Sequence, residues 1–294
     1  MIKKVQENYF YAPLAPDEDI RVLILEPGRP ADPKTGRNAD PIRCRLVPSA
    51  LPSTQGGAHS RQVIPYEALS YYWGLEEPTV PITIVTYNSS APRMSMANIV
   101  QKKFWIRPNL HAALIQLRSS DPANEVALWV AAICINQQDK VEKTAQVSRM
   151  HEIYSAASNV CIWLGVGEID PETGTIDPDE TEETFDFIRQ MLGLRRLDQL
   201  VQSEDHIDLW LAFVRLMRNR WFSRRWVVQE LALAKEATVH CGEEVIQWRD
   251  FADAVALFVT KQNQINSLLK KRFTKDPDPI GDMRALGANT LVEV

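Results

Sequence analysis

Apolar residues in this chain fall into short runs that alternate with stretches of helical spacing, a pattern typical of α/β proteins. Runs rich in β-branched and aromatic residues predict strands at 20–25, 43–47, 68–73, 80–85, 128–135, 160–164 and 238–241. Apolar positions three and four apart predict helices at 108–117, 184–194, 207–220 and 248–272, with a further helix starting at Ser223. Residues 87–104 follow neither period, so we expect them to be irregular.

The segment from 128 to 164 carries the clearest signal for the fold. Residues 128–135 are apolar throughout, as expected for a parallel strand that is covered on both faces. Asp139 is placed to cap the next helix, and Glu142 three residues later completes a capping-box pattern. Because a strand at 160–164 follows, the segment predicts a right-handed βαβ unit. We expect an α/β fold with a mainly parallel sheet flanked by helices, extra helices and an N-terminal β extension.

Composition and the lengths of the apolar runs bear on the possible partners and on the location of the protein. The net charge of −5 argues against binding to nucleic acid or to an anionic membrane. The longest apolar run, 126–135, is shorter than the roughly 20 residues that a membrane-spanning helix needs. Residues 1–8 lack the apolar core of a secretion signal. Four cysteines without a C-x-x-C pair, most of them in apolar runs, indicate buried free thiols and a cytoplasmic location.

No metal site is expected. The five histidines are scattered and form no pattern of zinc ligands with the cysteines. Residues 168–183 are strongly acidic, but the position of the glycine and the interrupting prolines do not fit a calcium-binding loop. We interpret this segment as a solvated acidic loop.

Candidate binding residues follow two of the predicted strands. In YEALSYYWG at 66–74, Gly74 permits a tight turn or the close approach of a ligand. Ser70 is better explained as a structural residue, whereas Trp73 fits a core or rim position and a ligand-stacking position equally well. Asn136 and Gln137 lie beyond the strand at 128–135, where open α/β sheets bind ligands, although a turn explains them equally well.

A third segment, RWFSRRWVVQE at 220–230, pairs an aromatic ring with an acid. Trp226 and Glu230 are four residues apart, so on a helix they share a face. The ring suits stacking on a heterocycle, and the acid suits holding ribose or stabilising an oxocarbenium-like centre. From spacing alone, an ion pair of Glu230 with Arg224 or Arg225 is the favoured explanation. The interleaved arginines and aromatics also suit single-stranded nucleic acid, which the net charge disfavours.

Together these three segments resemble the fungal heterokaryon incompatibility (HET) domain. The order and spacing of the motifs carry the likeness, with EK at 142–143, QV at 146–147, IY at 153–154 and WLG at 163–165 between the second and third segments. The likeness covers about residues 20–250. We therefore expect an N-terminal arm at 1–20, the HET domain at 21–250 and a C-terminal helical extension at 251–294. Because such domains are usually joined to sensor regions, we also expect the chain to be a piece of a longer protein.

The resemblance implies a cytoplasmic effector of programmed cell death in fungal allorecognition, a form of innate immunity. The family is similar to Toll/interleukin-1 receptor (TIR) domains, which have a flavodoxin-like sheet and often cleave NAD+ at the nicotinamide–ribose bond. WVVQE at 226–230 matches their W-x-x-x-E-like motif, which implies that Glu230 is catalytic. NAD+ is then the substrate, with no tightly bound cofactor. The implied nucleotide-binding residues are Ser70, Trp73, Gly74, Asn136, Gln137 and Trp226.

Position 131 departs from the family pattern. HET domains usually read W-I-D-A at this point, whereas this chain reads W-V-A-A, with Ala131 in place of the acid. The surrounding motif residues are intact, so general decay explains the change poorly. Two explanations are open: natural variation that alters activity, and a substitution that disarms a toxic protein. We favour the second and expect this copy to be an impaired NAD+ nucleosidase.

A function without catalysis is also open. TIR relatives signal through self-assembly and recruitment of partners, so a module of this kind would kill through self-association and recruitment of a regulatory protein partner. It would do so without depleting NAD+. The two functions are compatible, because assembly can switch catalysis on.

Overall fold

The computed structural model describes residues 9, 11–14, 19–29, 38–51, 62–87, 99–167 and 178–272. The chain divides into two compact units, Met1–Val160 with Leu233–Lys235, and Cys161–Ala232 with Glu236–Val294. Most of the predicted arm at 1–20, most of the acidic loop at 168–183 and residues 273–294 lie outside the described residues. Across the described ranges, no helix combines the length and apolarity needed to cross a membrane.

The first unit is built on a mixed sheet. Its strands are β1 (Asp19–Leu25), β2 (Arg43–Ala50), β3 (Glu67–Tyr71), β4 (Val80–Tyr87), β5 (Ile99–Ile106) and β6 (Val126–Trp129), in the order β5-β4-β2-β1-β6-β3. β2–β4 and β3–β6 are parallel, whereas β1 runs antiparallel to both β2 and β6, and β4 runs antiparallel to β5. The predicted α/β class is confirmed. The sheet holds more antiparallel pairing than the apolar pattern predicted, because β1 lies between β2 and β6.

The predicted strand at 128–135 is too long. β6 ends at Trp129, and a helical turn, α2 (Ala131–Cys134), follows it. The Ile133 and Cys134 amides both donate to the Val130 carbonyl, at 2.9 and 2.7 Å, so this backbone is satisfied locally instead of by a neighbouring strand. Apolar runs of this kind do not distinguish a strand from a buried helical turn. Position 131 therefore lies just beyond the strand, at the start of a turn.

The helices of the first unit are α1 (Pro108–Leu117), α3 (Lys140–Ser148) and α4 (Met150–Ala156). The bounds of α1 are the predicted ones. Asp139 caps α3 as expected, because its Oδ1 accepts from the Val141 and Glu142 amides at 2.9 and 3.1 Å. Glu142 does not complete the capping box. Its carboxylate binds Arg21 of β1 instead.

Residues 87–104 were expected to be irregular, yet β5 begins at Ile99 and continues to Ile106. The strand pairs with β4 along its whole length, from Val80–Ile106 to Tyr87–Ile99. It is the last strand in the order of this unit, and its central residues, Gln101 to Lys103, are polar. Lysine on an edge strand protects against pairing with another chain, and it also hides the alternation that predicts a strand.

The second unit combines three strands with a helical layer. The strands are β7 (Val160–Trp163), which begins at the unit boundary, β8 (Ala237–Cys241) and β9 (Glu244–Gln247), in that order. The helices are α5 (Pro178–Met191), α6 (Leu194–Leu200), α7 (Ile207–Met217), α8 (Val227–Ala232) and α9 (Trp248–Arg272). Buried aromatic rings hold the helices together: Trp210 packs edge-on against Phe187 with centroids 4.7 Å apart, and Phe213 packs against Phe258 at 5.7 Å.

The helix predicted from Ser223 begins later, at Val227. Arg220–Ser223 instead form a 3₁₀ turn that Asn219 caps, because its Oδ1 accepts from the Trp221 amide at 2.9 Å. The same Asn219 side chain donates to the Leu164 carbonyl at 2.7 Å. These two hydrogen bonds of Asn219 hold residues 220–223 in the turn, so α8 starts only at Val227.

Candidate functional site

A cleft of about 620 Å³ opens in the first unit. Trp73 reaches it from the segment after β3, and Asn136 and Gln137 reach it from the loop after β6. Because β3 and β6 are parallel, their carboxyl ends share one edge of the sheet, the usual place for a ligand in α/β proteins. The volume suits a small-molecule ligand, since such sites commonly enclose about 300–1,000 Å³. The structure thus brings together Trp73, Asn136 and Gln137, three of the candidate binding residues identified from the sequence.

Three other candidate site residues from the sequence lie beside the cleft without lining it. Ser70 is buried within β3. Gly74 has φ +77°, and an added Cβ would find its nearest atom 3.9 Å away, so the backbone conformation rather than lack of space explains the glycine. Ala131 is half-buried and directly precedes Ala132, whose side chain lines the cleft.

One wall of the cleft is aromatic and fixed in place. Trp73 stacks on Tyr71 with ring centroids 6.4 Å apart and an interplanar angle of 14°. The guanidinium carbon of Arg107 lies 5.8 Å from the centroid of the Trp73 ring, a cation–π distance. The Arg107 Nε donates to the Glu76 carbonyl at 2.6 Å, which holds the guanidinium in position. This arrangement presents a flat ring beside a positioned cation.

The charged side chains that line the cleft, among the described residues, are all positive. Lys103, Arg107 and Lys143 all line the cleft, and no Asp or Glu does among the described residues. A concave surface lined by positive charges raises the local concentration of anions. The cleft therefore favours a ligand that carries an anionic group together with a planar ring.

A buried ion pair supports the loop that carries Asn136 and Gln137. Arg21 and Glu142 side chains are only 2% and 12% exposed, and two hydrogen bonds of 2.6 and 2.9 Å join them. Glu142 Oε1 also accepts from the Asn136 amide at 2.7 Å. The sequence carried a signal for this pair, because a lone arginine within the apolar strand at 20–25 must find a counter-charge when buried.

Two tyrosines near the N-terminus also line the cleft. The Tyr11 hydroxyl donates to the Ile133 carbonyl at 3.0 Å, and the Arg21 guanidinium lies 4.7 Å from its ring centroid. Burial raises the pKa of both Tyr9 and Tyr11 above its usual value, so their hydroxyls stay protonated at neutral pH. Sequence reasoning missed both residues, because the family resemblance starts near residue 20.

Cys134, next to the cleft loop, is not a nucleophile. Burial raises the pKa of its thiol to about 12. The thiol is also engaged locally, since Sγ accepts from the Val130 amide at 3.3 Å. Because the reactive form is the thiolate, cysteine chemistry is excluded at this position near neutral pH.

The remaining nominated residues, Glu230 and Trp226, belong to the second unit. Glu230 is 1% exposed, and its two carboxylate oxygens accept from the Arg224 guanidinium at 2.9 and 3.2 Å. Trp226 precedes α8 and is 50% exposed. The ion pair that spacing alone favoured is therefore present, and the two side chains lie in different environments although they are four residues apart.

Fold and cleft together define an α/β protein whose first unit carries a cleft lined by aromatic and positively charged side chains. The chain matches the family model for heterokaryon incompatibility protein (HET) over residues 66–230, more than half its length, and it belongs to that family. It is also similar to heterokaryon incompatibility protein 6, OR allele, from Neurospora crassa. That protein is 27% identical over 206 residues, which cover 62% of this chain and 29% of the relative. The chain thus spans less than a third of that relative's length.

No solved structure matches the chain. The similarity to TIR domains, and the NAD+ chemistry that accompanies it, therefore stay predictions from sequence.

Proposed function

We propose that this chain is an effector domain of fungal heterokaryon incompatibility, and that its cleft binds NAD+ or a related nucleotide for cleavage. Membership of the HET family and the name of the Neurospora crassa relative support the incompatibility role. The choice of ligand rests on one observation. Trp73, Asn136 and Gln137 line a single cleft with three cationic side chains and no described carboxylate.

Each part of a dinucleotide has a chemical counterpart in this lining. Trp73 lines the cleft and supplies an aromatic ring to pack against the adenine or nicotinamide ring. Lys103, Arg107 and Lys143 offer positive charge for the diphosphate. The side-chain amides of Asn136 and Gln137 suit ribose hydroxyls or the carboxamide. Gln137 is partly committed already, because its Nε2 donates to the Ala131 carbonyl at 2.8 Å, which leaves its Oε1 for a ligand donor.

Cleavage at the nicotinamide–ribose bond needs a carboxylate that the described lining lacks. As nicotinamide leaves, positive charge builds on the ribose carbon, and water then adds to give ADP-ribose, nicotinamide and a proton. Carboxylates stabilise such centres in glycoside cleavage. An aspartate at position 131 would add an acid directly before Ala132, which lines the cleft. We propose that the alanine at this position removes that acid and impairs cleavage.

Ala131→Asp is expected to raise nicotinamide release from NAD+ by about a hundredfold, within the usual range for one positioned acid or base. The purified chain is incubated with NAD+, and nicotinamide is measured by chromatography. Ala131→Asn is the matched control, since it has the same shape without the charge. Adding Glu230→Ala to Ala131→Asp then tests the role of Glu230.

Two results would decide against this assignment. A folded Ala131→Asp protein that binds NAD+ and releases no more nicotinamide than Ala131→Asn would rule out an acid at position 131. Equal activity with and without Glu230→Ala would remove Glu230 from the catalytic residues. Glu230 is 1% exposed and paired with Arg224, so it reaches a ligand only if this arrangement opens.

That same engagement favours a second candidate, a signalling module that kills through self-assembly. Leu75 and Val141 of the first unit are also 83% and 75% exposed. This candidate is supported if expression of the Ala131→Asp protein kills fungal cells while their NAD+ level is unchanged. Death with depleted NAD+ supports the enzyme.

A further inference from the structure

One guanidinium connects two chain segments that are far apart in sequence. Arg21 donates to both oxygens of Glu142 and, with the same two terminal nitrogens, to the Cys134 carbonyl at 3.1 Å and the Ala12 carbonyl at 2.6 Å. Ala12 belongs to the N-terminal segment, and Cys134 belongs to the turn after β6. Arg21 is therefore a junction between these segments as well as half of an ion pair.

Both segments form walls of the cleft. Tyr9 and Tyr11 line it on the N-terminal side, and Ala132 and Asn136 line it on the side of the loop. Direct bonds join these walls to each other and to the ion pair, since Tyr11 donates to Ile133 and the Asn136 amide donates to Glu142. Displacing Arg21 would release both walls at once.

We propose that Arg21 and Glu142 are positioning residues that assemble the cleft, acting as a clamp on residues 9, 11–14 and 131–138. Neither residue lines the cleft, so they act through the backbone of the residues that do. The effect on ligand affinity rests on the proposed function, whereas the assembly of the two walls does not. Position 131 lies inside the clamped loop, and the clamp would therefore also orient an acid placed there.

The geometry of the clamp demands arginine. A planar guanidinium offers five donors in a fixed fork, whereas a lysine ammonium offers three donors around one point. Arg21→Lys keeps the charge that Glu142 requires, but it does not reach the carboxylate and the Ala12 and Cys134 carbonyls together. This substitution separates neutralisation of charge from assembly of the walls.

The test measures hydrogen–deuterium exchange and NAD+ affinity on the full chain. In Arg21→Lys we expect the amides of Tyr11, Ala12 and Leu14 and those in 131–138 to exchange about tenfold faster, with protection elsewhere unchanged. We also expect the Kd for NAD+ to rise by roughly tenfold or more, because displaced walls no longer hold the ligand contacts in register. Arg45→Lys is the matched control, since Arg45 also pairs with a carboxylate in this unit but lies away from the cleft lining.

Unchanged exchange in both segments, or faster exchange in only one, would overturn the clamp. So would equal effects of Arg45→Lys. If Arg21→Lys loses protection throughout the chain, Glu142→Gln decides instead: its amide nitrogen cannot accept from the guanidinium, so Arg21 loses one of its two bonds to this side chain, and the clamp predicts faster exchange in both segments. If the parent chain does not bind NAD+, the proposed ligand fails, while the exchange pattern still decides the clamp.

Discussion

Glu142→Ala is expected to lower the free energy of unfolding by about 3–5 kcal/mol, the usual cost of removing one partner of a buried ion pair. Arg21 would keep its charge at 2% exposure without its carboxylate partner. The Asn136 amide would lose its acceptor as well. Urea denaturation followed by circular dichroism measures the change.

Glu125→Ala provides the control for this substitution. Glu125 pairs with Arg45 in the same unit, but the two side chains are 45% and 28% exposed. Exposed pairs contribute roughly 0–1 kcal/mol, so Glu125→Ala should leave the midpoint almost unchanged. If Glu142→Ala costs no more than Glu125→Ala, Arg21 has another source of compensation and the clamp is not the main support of the cleft.

Glu230→Ala is expected to cost about 3 kcal/mol, near the lower end of the range for a buried pair. Glu230 is 1% exposed, but its partner Arg224 is 18% exposed and can regain some hydration when the carboxylate is removed. Thermal and urea unfolding of the full chain measure the loss. The size of this effect matters for function, because lost activity in Glu230→Ala would otherwise be read as lost catalysis.

Arg224→Ala separates the two roles of Glu230. It breaks the same pair but keeps the carboxylate, and it should also be destabilising, because the buried carboxylate then loses both bonds from the guanidinium. A catalytic Glu230 predicts that folded Arg224→Ala retains activity in the Ala131→Asp background while folded Glu230→Ala does not. Equal activity per folded molecule in both variants would make Glu230 structural only. Negligible destabilisation by either variant would contradict the energetic role of the pair.

Local patterns were enough to predict the elements whose own residues decide their structure. α1 and α9 begin and end at the predicted residues, because apolar residues recur at helical spacing throughout both. The apolar run at 128–135 has no period, and only the bonds to the Val130 carbonyl show that its second half turns. β5 was missed because its polar centre needs the partner strand β4 to define it.

The site was predictable only in part, for a related reason. Trp73, Asn136 and Gln137 follow strands, so the rule that ligands bind beyond strand ends found them. Tyr11, Arg107 and Lys143 reach the same cleft from distant parts of the chain, and no local spacing indicates that. Arg21 was detectable as a charge within an apolar strand, but its partner Glu142 lies 121 residues away and appeared to belong to a capping box.

The most direct test of the central claim is a calorimetric titration of the full chain with NAD+, and with nicotinamide riboside as the ligand that lacks the diphosphate and the adenosine. We expect saturable binding of NAD+ and weaker binding of the riboside. Trp73→Ala should weaken NAD+ binding about tenfold through lost stacking. Lys143→Ala should weaken it by a roughly similar factor through a lost charged contact, whereas Lys140→Ala, on the same helix but outside the lining, should not. Absence of saturable NAD+ binding, or equal affinity in the parent chain and Trp73→Ala, would contradict the assignment of the cleft as the nucleotide site.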